Sequence, residues 1–432
     1  MKSSTASADS FRKVAPAVSP VAALDMPDVR TRVLEPSGIH MHIYTGCDTP
    51  VCYLSVLVEG GQAEAGMPAV AALCGIMHSE GSSKYSGGDI SSTLDYNGAW
   101  IKSVANSHHM QHSLFSLNSK LDKVLPVFAD MVFNPTFPSK EFDVRREALA
   151  RNIEVSQNDV SYVARCASDA MIMGPSHPLA IMDNPEVLRS LTRADVFGFH
   201  GRGGAVQVFL CGQVTPQIEE LVAETFSRVS TGSAALDIRP FEPEMVQQKI
   251  IRQEDATQSA VMIALPAIKR DHSHYLPLHL TVMALGGYFG SRLMLNIRES
   301  KGLTYGISAS LLGNIDDASI LISAETDNAN VRRLIDEVAS EMQRLASDPC
   351  RGEEMWRLRQ SASSAQASVL DSPFSIMDHH ITSVLSGLPR GYFDAKQQCI
   401  ASLTPDVIAE MAGQYLRPEL MRIAVAGDIA SL

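Results

Sequence analysis

Apolar residues recur along this chain at helical and strand periods, and the order of those elements is written twice. GIHMHIYT and VCYLSVLVEGG read as a first strand pair. Over Met67 to Glu80, Val70, Leu73, Cys74 and Met77 fall on one helical face at i, i+3, i+4 and i+7. A short helix from Asp89 should stop at Gly98, and Ala99 to Leu117 reads as strand, turn, strand, with Trp100, Val104, Leu114 and Phe115 as its bulky members. Ser119 is placed to cap a helix carrying Leu121, Leu125, Phe128 and Met131, which ends before Asn134-Pro135. A long charged helix is expected from Ser139 to Val155 and another from Val160 to Met173, stopped by Gly174. A helix near Asp195 and a strand from Val206 to Cys211 close the half.

The second half repeats this order. A strand over Ala260 to Leu265 is followed by helices over Leu276 to Leu285 and Ser291 to Glu299. Strands over Thr304 to Leu312 and Ser319 to Glu325, a helix from Val331 to Leu345 and a last strand from Met421 to Ala426 complete it. Short matches support a duplication. SLTRADV (190–196) pairs with SLTPDV (402–407), the glycine-ended runs at Gly212 and Gly427 correspond, and NPTFPSKEF pairs with SDPCRGEEM, all at an offset of about 210 to 215 residues. So long a period means two similar domains and not a solenoid. Strands in pairs and helices in pairs predict an α+β fold: two tandem homologous domains, each a mixed or antiparallel sheet packed with helices. The expected divisions are a disordered stretch over 1–26, a first domain over 27–229, a linker over 230–246 rich in Gly, Ser and Pro, and a second domain over 247–432.

Composition narrows the function. With 45% hydrophobic residues the chain can fill two cores, and a formal charge of −12 without an evident basic patch argues against nucleic acid. No apolar run approaches the roughly 20 residues of a membrane span. Seven scattered cysteines without a C-x-x-C, and an N-terminal stretch lacking a continuous apolar core, point to a reducing, cytoplasmic setting.

ALGGYFGSRLMLNIRESKGLTYGISASL, residues 284–311, resembles the second-domain signature of the pitrilysin/insulinase-type metallopeptidases. EGSSKYSGGDISSTLDYNGAW and FADMVFNPTFPSKEFDVRREALARNIE resemble the first domain of the same family, in its two-domain bacterial form related to mitochondrial processing peptidase. The resemblance implies two subunits closing a chamber around peptides. Active members hold zinc on a helical H-x-x-E-H, with a further Glu from a later helix. Anchored on Gly81, those five motif positions fall on Ala72, Leu73, Cys74, Gly75 and Ile76, and the third ligand falls on Asn152. The expectation is therefore a degenerate site (Ala72, Gly75, Ile76, Asn152) with no metal or cofactor in this chain. The family's substrate-holding Arg and Tyr map to Arg298 and Tyr305.

Other histidines and cysteines are read as structural. HHMQH (108–112) looks like the motif, but in a strand His108 and His112 stand about 13 Å apart, too far for one zinc. They are expected to be polar strand and turn residues. His78 is read as standing alone, and His379-His380 as a helix-surface or packing pair. Cys74 is read as a buried structural cysteine without a histidine partner near it in sequence. The function expected is that of a non-catalytic subunit of a heterodimeric zinc endopeptidase. It would enclose unstructured peptides and donate Arg298 and Tyr305 to a zinc-bearing homologous partner, without nucleic acid or membrane. The alternative is a non-enzymatic peptide-binding or structural homodimer; a self-sufficient hydrolase with another site is a third reading.

Overall fold

The computed structural model describes residues 23–232 and 236–431. The disorder expected over 1–26 falls mostly outside the described residues, as do positions 233–235 of the expected linker. Leu24 is described, and its amide donates to the Gln397 side chain at 2.9 Å.

The first half contains β1 (Arg30–Leu34), β2 (Ile39–Thr45), β3 (Val51–Glu59), α1 (Val70–Met77), α2 (Gly87–Tyr96), β4 (Trp100–Ala105) and β5 (His109–Leu117). It continues through α3 (Leu121–Phe133), α4 (Ser139–Ser156), α5 (Val160–Met173), α6 (Pro185–Ser190), α7 (Arg193–His200), β6 (Val206–Gly212) and α8 (Pro216–Phe226). The second half contains β7 (Gln248–Arg252), β8 (Gln258–Pro266), α9 (Tyr275–Val282), β9 (Thr304–Gly313), β10 (Ala318–Asp327) and α10 (Val331–Ser347). It ends with α11 (Gly352–Ser368), α12 (Pro373–Leu385), α13 (Tyr392–Ser402), α14 (Pro405–Tyr415) and β11 (Arg422–Gly427).

The two sheets have one topology. Their orders are β1-β2-β6-β3-β5-β4 and β7-β11-β8-β10-β9, so the second repeats the first without its outermost strand. In both, one pair is parallel (β2 with β6, β7 with β11) and the rest are antiparallel. This is the mixed α+β architecture that the paired elements predict. The first strand pair is a correction: β6 lies between β2 and β3, which do not pair with each other. The helix after β5 also departs in detail, because a 3₁₀ turn over Asn118–Lys120 precedes it and no side chain caps it.

The repeated short motifs have physical jobs. Thr192 and Thr404 each cap the N-terminus of a helix, accepting from Asp195 N and Val407 N at 3.3 Å. Gly212 and Gly427 end the equivalent strands β6 and β11 where the neighbouring chain approaches closely. A Cβ on Gly212 would lie 2.2 Å from Val51 O, and one on Gly427 would lie 2.0 Å from Ser259 Oγ.

Each sheet is sandwiched. One face packs on its own helices: α2, α3 and α8 in the first half, α9, α10 and α14 in the second. The other face is covered by a helix from the opposite half. Ala164, Met171 and Ile172 of α5 pack on Ala260, Met262, Ala264, Ala424 and Ala426 of the second sheet. Met377 and Ile381 of α12 pack on Tyr53, Leu57, Phe209 and Cys211 of the first. Burial on both faces explains why β3 and β8 read as continuous apolar runs, not alternating ones. His380 on α12 contacts His42 at 3.0 Å, so the His379-His380 pair does pack.

Candidate functional site

In the second half the backbone departs from regular α-helix where the family signature begins. Met283–Gly287 and Met294–Ser300 are π-helical turns, a form concentrated at functional sites. Gly286 lets the first turn press on β9, since a Cβ there would lie 2.7 Å from Ala309 N. The second turn delivers Arg298, and Tyr305 follows at the start of β9, the edge strand of its sheet. Thr304 anchors that strand start by donating its hydroxyl to Glu325 O at 2.6 Å.

The structure brings Arg298 and Tyr305 together. The guanidinium carbon lies 5.3 Å from the Tyr305 ring centroid and 5.0 Å from that of Phe289, with Glu299 accepting from Nη1 at 2.9 Å. These cation–π contacts orient the Arg side chain without consuming all of its five donors. Tyr305 is 90% exposed and Phe289 64% exposed. The phenol therefore stands at the surface, where a hydroxyl donor can meet a peptide carbonyl. Phe289 is a member of the patch that the sequence reading missed; its signal is the aromatic pair inside GGYFGS.

In the first half, α1 is the helix that carries Ala72, Gly75 and Ile76, where the resemblance would put the family's zinc motif. Ala72 and Ile76 are partly exposed on it, and Gly75 is buried. A Cβ on Gly75 would lie 3.3 Å from Met110 Cε and 3.6 Å from Ser103 O, so the space for a longer side chain is taken. α4 packs along α1 through Ala150 and Ile153, which leaves Asn152 exposed. Beside these positions a groove of about 240 Å³ is lined by Gly75, Ile76, Ile101 and the ion pair of Arg145 with Glu80, 2.8 Å from Nε to Oε1. A methyl, a sec-butyl group, a glycine and an exposed amide provide neither imidazole nor carboxylate, so the residues here do not fit the family's zinc. Among the described residues no hydrogen bond, ion pair or ring contact joins this site to Arg298 or Tyr305.

Two readings of histidine and cysteine are corrected. Cys74 does have a histidine partner, one turn along the same helix: its sulfur lies 4.0 Å from His78 Nδ1. His78 does not stand alone, because its ring lies 4.4 Å from that of His112 and 5.3 Å from that of His200. HHMQH is turn and strand as expected, with His108 in the turn and His109 opening β5. His112 is buried against α1, while His108 is buried between two carboxylates, 2.8 Å from Glu64 Oε1 and 2.6 Å from Asp316 Oδ2. The i, i+4 spacing of Cys74 and His78 was readable in the sequence; the arrival of His112 and His200 depends on the fold.

A family model described as Insulinase (Peptidase family M16) matches residues 45–176, and one described as Peptidase M16 inactive domain matches 190–361. The chain belongs to the M16 peptidase family. The match to the model described as the inactive domain supports a non-catalytic member. An uncharacterised zinc protease of Mycobacterium leprae is 25% identical over 232 residues, 52% of each chain, so this chain spans about half the length of that relative. One of Bacillus subtilis is 19% identical over 309 residues, covering 70% of this chain and 75% of the relative. Among solved structures, the peptidase M16 inactive domain from Pseudomonas fluorescens superposes with a TM-score of 0.86 at 22% identity, over 94% of this chain and 99% of that one. A protease from Helicobacter pylori gives 0.85 at 15% identity, over 93% and 100%. These structures share the fold. Among the described residues no helix is long and apolar enough to cross a membrane.

Proposed function

We propose that this M16 chain is the non-catalytic subunit of a heterodimeric, cytoplasmic zinc endopeptidase. It closes a chamber around unstructured peptides and lends Arg298 and Tyr305 to a zinc-bearing homologous partner. The observation that carries this reading is a division within one chain. The metal positions on α1 and α4 hold no ligand, while Arg298 and Tyr305 are brought together beside Phe289, with the Tyr305 phenol exposed and Arg298 partly exposed. In this role Tyr305 donates to the oxyanion that forms on the scissile carbonyl, and Arg298 holds a neighbouring carbonyl through its fixed donors. Zinc and its water belong to the partner. The seven cysteines, all free, agree with a reducing compartment.

Mixing tests this. The purified chain should leave unstructured peptides intact, and adding it to a zinc-bearing homologue from the same source should produce chelator-sensitive hydrolysis by a complex isolated on a sizing column. A homologue equally active without this chain, or a stable homodimer that ignores the homologue, would favour the non-enzymatic peptide-binding or structural reading.

A further inference from the structure

α1 has a second face, pointing away from the degenerate zinc positions. Cys74 and His78 lie on it four residues apart and are buried to 0% and 1% exposure. α7 ends at His200 and brings that ring to the same point. The ligand atoms that Cys74, His78 and His200 offer all lie within 4.8 Å of one another.

His78 carries the decisive detail. Its Nδ1 sits 2.7 Å from Cys74 O, and a carbonyl can only accept, so Nδ1 holds the proton. Nε2 is then the bare lone pair. It is buried and has no hydrogen-bond partner among the described residues. A buried acceptor left without a partner costs about 1–3 kcal/mol. The arrangement, one ring nitrogen fixed by a backbone carbonyl and the other free, is that of a metal-ligating histidine. All three side chains face a cavity of about 540 Å³, together with His112 and Met110. His112 is itself fixed, with Nδ1 2.8 Å from Ser103 Oγ.

We propose that Cys74, His78 and His200 form a zinc site on the inner face of α1, separate from the family's metal position and with its fourth coordination site open to the cavity. Zn–S of about 2.3 Å and Zn–N of about 2.0–2.1 Å require ligand atoms roughly 3.5 Å apart in a tetrahedron. One ligand atom from each of the three residues lies within 4.8 Å of the others, so they must draw together by about an ångström to hold zinc. Burial raises the Cys74 thiol, so zinc binds with release of one proton from sulfur to solvent. The sequence-based expectation was a chain without any metal, and this proposal departs from it. It is also independent of the partner proposed above, because it is read from this chain alone.

The test uses the full chain, stripped with a chelator and titrated with Co²⁺ and then Zn²⁺. One Co²⁺ per chain should bind tetrahedrally, with a thiolate-to-cobalt charge-transfer band in the near ultraviolet, and Zn²⁺ should bleach it. Cys74→Ser should remove that band and His200→Asn should weaken binding by more than about 10-fold. Cys166→Ser, at a cysteine elsewhere on α5, should change neither. Circular dichroism checks that the variants fold. Should they not, the unmodified chain decides, since absence of the charge-transfer band there overturns the site. Binding that survives Cys74→Ser and His200→Asn unchanged overturns it equally.

Discussion

Replacing Asp316 with Asn tests how the two halves are tied together. His108 lies in the turn between β4 and β5, and Asp316 lies in the turn between β9 and β10. Asp316 is buried and accepts from His108 Nε2 at 2.6 Å and from Arg239 N at 2.8 Å. Glu64 takes the other ring nitrogen at 2.8 Å, together with Gly61 N at 2.8 Å and Asp237 N at 3.0 Å. One imidazole thus joins a loop of the first half, the connecting segment and a turn of the second half. Burial pulls the His108 pKa down, but the hydrogen bonds its ring gives to Glu64 and Asp316 outweigh it and leave it raised. Burial likewise works to raise Glu64, and its bonds to His108 and the two amides leave it lowered. The amide of Asp316→Asn keeps the shape of the carboxylate, and His108 keeps Glu64, so no charge is stranded. The loss is one charge-assisted hydrogen bond, about 2 kcal/mol, less than the roughly 3–5 kcal/mol of a buried pair left with one member.

Urea unfolding reads this out half by half, because Trp100 lies in the first half and Trp356 in the second. In single-tryptophan backgrounds, the chain with Asp316 should show coincident transitions, and Asp316→Asn should give separated, earlier ones. The pH dependence has a fixed sign. A raised histidine contributes stability that is fully present below its unfolded value, near 6.5, and is lost as pH rises through the folded one. The lowered Glu64 contributes above its unfolded value, near 4.3, and loses that contribution as pH falls through the folded one. The gap between the two proteins should be widest between about pH 4.5 and 6.5 and should shrink on the alkaline side. A gap that grows with pH, or transitions that stay coincident in the variant, would refute the reasoning.

Three further outcomes follow from packing and exposure. Gly212→Ala should destabilise more than Gly427→Ala, because Gly212 has φ +122° and its added carbon meets Val51 O at 2.2 Å, whereas Gly427 has no positive φ and its contacts are to Ser259; thermal unfolding ranks them. Met171→Ala, at a fully buried contact of α5 with the second sheet, should cost about 2–5 kcal/mol in urea unfolding. Arg298→Ala should leave stability within about 0.5 kcal/mol, since the side chain lies at the surface patch, while weakening peptide capture by the assembled pair.

The repeat was legible because its signals are local. Thr192 and Thr404 cap helices, and Gly212 and Gly427 end strands, for reasons contained within a few residues of each. Spacing alone also found α4 and α5 and the stop at Gly174. What periodicity cannot give is the identity of the neighbour. The apolar face of α5 reads as buried, but nothing local says that the other half's sheet covers it. The placement of β6 between β2 and β3 is likewise a tertiary choice made by a strand some 150 residues further on. The same limit hid His108 from its two carboxylates and His200 from Cys74. The Arg298–Tyr305 patch was legible only through the family resemblance, because a lone Arg and a lone Tyr at that spacing carry no signal of their own. Ser119 failed as a cap because a 3₁₀ turn intervenes before the helix.

The central claim is that this chain supplies half of an active site in trans, and Tyr305→Phe addresses it most directly. The change removes one exposed hydroxyl and almost no volume, so folding and assembly should be untouched. Peptide hydrolysis by the complex with its zinc-bearing partner, assembly being verified on a sizing column, should fall by roughly 10²-fold or more in kcat, the usual cost of one oxyanion donor. A fully assembled complex with undiminished kcat would contradict the claim.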